Sequence, residues 1–182
     1  MLRKTIKNIA LIFILLFVVY NFLLSDFNPM FKNEKFVYLT SALKETEKED
    51  LKSFVEIYNK IHKTVKERKS MYEIVTSHIG PNRHGFSLTK KIYTLKIEKE
   101  FTKNHCLKFE LLNYDFGYKN IGIKNASKFY FGKTIDALNE DEKITLVAML
   151  ENSSLYNPIR NKEFVMNKVR LYKRILNENK DN

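Results

Sequence analysis

One cysteine, four histidines and an excess of lysine and arginine are the residues from which chemistry could be built. Cys106 stands among Leu107 and Phe109, so a packed helix and a buried, inert thiol are expected rather than a nucleophile. A lone cysteine also excludes an intramolecular disulfide and a cysteine-based metal cluster. His62, His78, His84 and His105 show no H-E-x-x-H spacing, so no metal ligand set is expected within the protein, and no cofactor is assigned. What remains is charge. Thirty-two Lys and Arg against 21 Asp and Glu give a formal +11, spread from Arg3 to Lys180 and interleaved with acids. Such a balance suits an anionic partner, whether phospholipid headgroups, a pyrophosphate substrate or nucleic acid, although a solvated lysine-rich surface accounts for it as well.

The elements that must position these groups begin with an apolar segment. Residues 9–20 are apolar or aromatic without a break, and after Asn21 the run resumes as Phe22-Leu23-Leu24. Residues 8–25 are then near the lower end of the roughly 17 to 25 residues that cross a bilayer as a helix. Arg3, Lys4 and Lys7 precede the run and Asp26 follows it, which puts the N-terminus in the cytoplasm and the rest outside the cytoplasmic membrane. Ser25-Asp26-Phe27 offers no small-x-small cleavage site, so an uncleaved single-pass anchor is preferred to a signal peptide.

Beyond the anchor, Gly and Pro are scarce, at 5 and 3, and one compact helical domain is expected. Leu51, Phe54, Val55, Tyr58, Ile61 and Val65 recur at helical intervals and predict a helix within residues 45–69. Ser70 and Glu73 form a capping-box pattern for a helix toward His78, broken at Gly80-Pro81-Asn82. A further helix from Leu88 uses Leu88, Ile92, Leu95 and Ile97, and Thr102 caps the next, which carries Cys106, Leu107 and Leu111. Residues 123–131 read as a helix ending at Gly132, Asn139 caps residues 140–150, Tyr156-Asn157-Pro158 is a loop, and residues 163–177 form a last amphipathic helix. Only residues 35–40, with Phe36, Val37, Tyr38 and Leu39, look extended.

Several short pieces then occur in order. They are Lys103-Asn104-His105-Cys106-Leu107, Phe116-Gly117, Ile121-Gly122-Ile123 with Ala126, Tyr130-Phe131-Gly132-Lys133, the 138–150 segment, and Ser154-Leu155-Tyr156-Asn157-Pro158 with Arg160-Asn161. In type and spacing the region resembles the C-terminal half of the peptidoglycan glycosyltransferases, glycosyltransferase family 51. The resemblance implies a mainly α chain, a reduced lysozyme-like helical glycosyltransferase lobe behind one N-terminal transmembrane helix. It divides the chain into a basic N-terminus (1–7), an anchor (8–25), a divergent helical region (26–101) and a family-like region (102–178). Tyr130, Phe131, Tyr156 and Pro158 are also the residues expected to pack such a lobe whatever the chemistry.

The resemblance implies a reaction in which a carboxylate takes the proton of an acceptor sugar hydroxyl and basic groups stabilise a departing lipid pyrophosphate. In the family that carboxylate begins an E-D-x-x-F-x-x-H-x-G motif. If His78-Ile79-Gly80 is its tail, Met71 occupies the position of the Glu, and Glu73, two residues on, becomes the candidate base. Gly85-Phe86-Ser87 and Lys90-Lys91-Ile92 echo the family's later motifs without their glutamines, and Thr94 stands where a second acid belongs. Glu98 and Lys103 recover a later E-x-x-x-x-K spacing, which an ion pair would also explain. The candidate catalytic residues are therefore Glu73 and Glu98, with Lys90, Lys91 and Lys103 toward substrate. The implied function is polymerisation of lipid II glycan strands at the inner membrane. The alternative is a catalytically silent relative that binds lipid-linked peptidoglycan precursor or a cell-wall synthase as a scaffold. Nucleic acid is not an expected partner, since the domain is exported and carries no recognition-helix or RNP-type pattern.

Overall fold

The computed structural model describes residues 2–65, 67, 69–80 and 87–178. His84, the Pro81-Asn82 break and the Gly85-Phe86 pair lie outside these. The chain is mainly α, and among the described residues the only β-type pairing is a single antiparallel bridge, Asp115 with Ile121.

Helix α1 (Leu2–Leu23) stands clear of the rest. Its Lys4–Leu23 stretch is long and apolar enough to cross a membrane, and none of it is buried against the domain. The helix stops at Leu23, and Leu24 is the first core residue, 2% exposed. Asn28 closes the end by donating from Nδ2 to the Leu23 carbonyl at 2.7 Å. Lys96, buried to 4% exposure, donates from Nζ to the Leu24 carbonyl at 3.0 Å and pairs with Asp26 and Glu100 at 2.6 Å each. Its ammonium also lies 5.0 Å from the centre of the Phe31 ring. Desolvation pulls the Lys96 amine down, but Asp26 and Glu100 outweigh it and hold it above the usual lysine range.

The expected strand at residues 35–40 is instead part of helix α2 (Glu34–Glu45). Asn33 Oδ1 accepts the Lys35 N–H, and Phe36, Leu39 and Leu43 fall on one buried face, so cap and helical period override the β-type composition. The helix expected within residues 45–69 is present but occupies only part of that range. Thr46 turns its hydroxyl back to the Leu43 carbonyl at 2.7 Å, a 3-10 turn follows, and α3 begins only at Lys52 (Lys52–Thr64). Within α3 the predicted face is the buried one, with Phe54, Val55, Tyr58 and Ile61.

Helix α4 (Met71–Ser77) carries the Ser70/Glu73 capping box, α5 spans Leu88–Glu100, and α6 spans Lys103–Asn113 behind a Thr102/His105 box. α5 departs from its expected stripe: Leu88 is 63% exposed, whereas Tyr93, Thr94 and Lys96 join Ile92 and Ile97 inside. Helices α7 (Ile123–Phe131), α8 (Glu140–Met149) and α9 (Lys162–Glu178) complete the lobe, with Gly132 left-handed after α7 and Asn139 capping α8. α4 packs on α5 and α6, while α3, α8 and α9 pack on one another. Tyr130 and Asn157 serve as struts: Tyr130 donates to the Phe116 carbonyl at 2.7 Å, and Asn157 Nδ2 donates to the Tyr130 hydroxyl at 3.0 Å.

Cys106 is fully buried on α6, and desolvation pushes its thiol up to about 12. The folded protein is expected to leave this thiol unreacted with an aromatic disulfide reagent at neutral pH, and to titrate one thiol after unfolding. Rapid reaction in the native state would contradict the burial.

Candidate functional site

Several polar groups meet where the C-terminal end of α4 faces α5 and α6. Ser70 starts α4 by accepting the Glu73 N–H at its hydroxyl, and the Glu73 carboxylate accepts the Ser70 N–H at 3.3 Å. Glu73 is thus bound back to the helix N-terminus. Thr76 and Thr94 hydroxyls meet at 3.0 Å in the buried α4–α5 contact, so Thr94 is a buried structural hydroxyl. One turn from Glu73, the Ser77 hydroxyl donates to the Glu73 carbonyl at 2.7 Å and accepts from Lys90 Nζ at 2.7 Å.

His78 follows Ser77. Its Nε2 lies 2.9 Å from Oε2 of Glu110, and its ring stands edge-on to Phe109 with centroids 5.4 Å apart. The Glu110 side chain is 8% exposed and that of His78 is 36% exposed, so a buried carboxylate is paired with an imidazole that solvent can reach. The hydrogen bond from Glu110 raises the imidazole above its usual range, against the opposing pull of burial.

The residues nominated from sequence are only partly brought together. Lys90 reaches the end of α4, but Lys91 points to solvent on α5. Glu98 is exposed on the last turn of α5. The expected Glu98–Lys103 ion pair is replaced by Lys103–Glu67 at 2.7 Å, because the chain breaks at Phe101-Thr102 and puts the two residues on different helices. Glu110 escaped the sequence reading, yet a signal existed. It lies four residues after Cys106 and three after Leu107, on the face of α6 that is buried, where an acid requires a partner. Among the described residues no group of three or more His, Cys, Asp or Glu side chains is arranged to hold a metal ion.

Comparison with known proteins bears on this architecture directly. The family model described as Transglycosylase matches residues 84–178, from the connection before α5 to the end of α9. Penicillin-binding protein 4 of Bacillus subtilis is 26% identical over 153 residues, covering 79% of this chain and 24% of that protein. The monofunctional glycosyltransferase of Staphylococcus epidermidis is 28% identical over 91 residues, covering 48% of this chain and 32% of that protein. Penicillin-binding protein 1A of Escherichia coli is 29% identical over 82 residues, 44% of this chain and 10% of that protein. The chain therefore spans about a third or less of each of these relatives. The matched region contains five of the helices just described and extends over more than half of the sequence, and on that ground the chain belongs to the transglycosylase family, whose lysozyme-like helical fold its lobe adopts.

Proposed function

We propose that this protein is a peptidoglycan glycosyltransferase that extends glycan strands from a lipid-linked disaccharide diphosphate. α1 would hold it in the cytoplasmic membrane with its N-terminus inside and the lobe outside, so that residues 26–178 meet the precursor at the outer leaflet. The observation that carries this reading is the end of α4, where Ser77 holds the Lys90 ammonium at 2.7 Å beside the paired His78 and Glu110. In glycosyl transfer a hydroxyl of the acceptor sugar attacks the anomeric carbon of the donor. The bond from that carbon to the diphosphate oxygen breaks, the hydroxyl proton passes to a base, and a cation stabilises the diphosphate. A lysine ammonium beside an acid–base pair supplies both needs. The family match and the names of the relatives support the same class of reaction.

A second reading is favoured by a specific observation. Glu73 is engaged in its capping box and Glu98 faces solvent, so neither nominated carboxylate stands free beside Lys90. The protein would then bind lipid-linked precursor, or a cell-wall synthase, without catalysis. Detergent-solubilised full-length protein incubated with labelled lipid II separates the two. Polymer is expected from the wild type and from Glu73→Gln and Glu98→Gln alike. Binding of lipid II without polymer would establish the silent reading, and loss of polymer in Glu73→Gln alone would make Glu73 the base.

A further inference from the structure

If His78-Ile79-Gly80 is the tail of the family's base motif, Met71 stands at the position of the base, and the nearby Glu73 is tied to its own helix start. We infer that His78 is the general base of this protein, with Glu110 as the residue that positions it, an assignment resting on the transferase reading above. Glu110 is an acceptor when ionised, so the 2.9 Å contact to Nε2 fixes the proton of the neutral imidazole on that nitrogen. The lone pair is then on Nδ1, to which no hydrogen bond is formed among the described residues. The edge contact with Phe109 orients the ring, and the side chain is 36% exposed, so a hydroxyl can approach it from solvent.

The neighbouring charges suit the same step. On α4 itself, Glu73 is committed to the Ser70 cap. From α5, Lys90 comes to Ser77, while Lys91 faces solvent. From α6, Glu110 is the acid on the ring, Lys108 turns away to the Thr46 and Glu49 carbonyls, and His105 closes its own helix cap. As the acceptor oxygen bonds to the anomeric carbon and the carbon–oxygen bond to the diphosphate breaks, the hydroxyl proton moves to Nδ1 of His78. The electron pair of the broken bond leaves on the diphosphate, whose charge Lys90 faces. Glu110 favours the imidazolium so formed, which is the direction in which the hydrogen bond shifts the imidazole.

A purely structural bridge between α4 and α6 would predict a different outcome from the following test. Polymerisation of labelled lipid II by the full-length protein in detergent is measured against pH, with His78→Gln, His78→Ala and Glu110→Gln alongside. His78→Gln retains an amide donor for Glu110, and so keeps the bridge, but has no proton acceptor of imidazole strength. It is expected to fold, to bind lipid II as the wild type does, and to lose about 100-fold or more in rate. The rate of the wild type should rise with pH as the imidazole loses its proton. In Glu110→Gln that rise should shift to lower pH, because the group that raises the imidazole is gone. Activity of folded His78→Gln within a few-fold of wild type, or an unmoved pH profile in folded Glu110→Gln, would overturn the assignment while leaving the transferase reading in place. A wild type that binds lipid II without forming polymer would overturn both. Should either Glu110→Gln or His78→Ala fail to fold, His78→Gln still decides the question.

Discussion

Gly122→Ala is expected to destabilise the lobe by about 3 kcal/mol or more, the largest effect among the described glycines. Gly122 begins α7 at φ 83° and ψ 147°, a conformation that side chains rarely adopt. A Cβ there would stand 2.6 Å from the Leu112 carbonyl oxygen, which belongs to the backbone of α6 and cannot swing aside. The residue is also pinned, since its N–H donates to the Tyr114 carbonyl at 2.9 Å and the neighbouring Ile121 closes the bridge to Asp115. Relief therefore requires α6 and α7 to separate, which would displace Glu110 two residues from the clash. Gly132→Ala is the control: its φ is 66°, but nothing stands within 4 Å of a Cβ, so only the left-handed conformation is penalised, by about 1 to 2 kcal/mol. Urea unfolding of the full-length variants in detergent, followed by circular dichroism, compares the two. Equal midpoint shifts would show that the close approach to Leu112 carries no penalty.

The features legible in the sequence are those whose cause is local. Ser70, Thr102 and Asn139 cap helices because each offers an oxygen to the N–H three residues on, and Gly132 ends α7 because a left-handed residue is needed there. The apolar helix α1 was legible from composition alone. Errors arose where a local signal competed with another. Phe36-Val37-Tyr38-Leu39 has strand-like composition, yet the Asn33 cap and the burial of Phe36, Leu39 and Leu43 make it helical. The helical face of α3 is legible from its apolar spacing, but its start is not, because the Thr46 hydroxyl turns back on α2. Least legible were the buried charges. Glu110 finds its partner 32 residues away, and Lys96 finds Asp26 at a separation of 70. Spacing on one helix shows that such a residue faces inward, but not what will meet it.

Lys96→Met is expected to lower the stability of the lobe by about 2 kcal/mol and, with larger consequence, to free α1 from it. Methionine keeps much of the stem that packs in the core, so the change removes chiefly the ammonium. Three acceptors lose their donor together: the Leu24 carbonyl at the end of α1, Asp26 just beyond it, and Glu100 on α5. Since Asp26 and Glu100 are accessible to water, they recover solvation, and the penalty stays below that of leaving a charge buried alone. The Leu24 carbonyl is different, because Leu24 is 2% exposed and closes the core beneath α1. In the wild type this contact, with the Asn28 bond to Leu23 and the Tyr93 bond to Met30, binds the end of α1 to the body of the domain. Spin labels at Tyr20→Cys and Lys99→Cys, both exposed positions, can report this coupling, and the buried Cys106 is expected to remain unlabelled. In lipid nanodiscs the wild-type background should give one narrow distance distribution, and Lys96→Met a broad one. A narrow distribution in both would mean that Leu24 and Asn28 suffice to hold α1. If the broad one is found, the proposed transferase reading predicts that polymerisation falls even though α4, α5 and α6 keep their own contacts, because on that reading the site must be held at a fixed height above the bilayer.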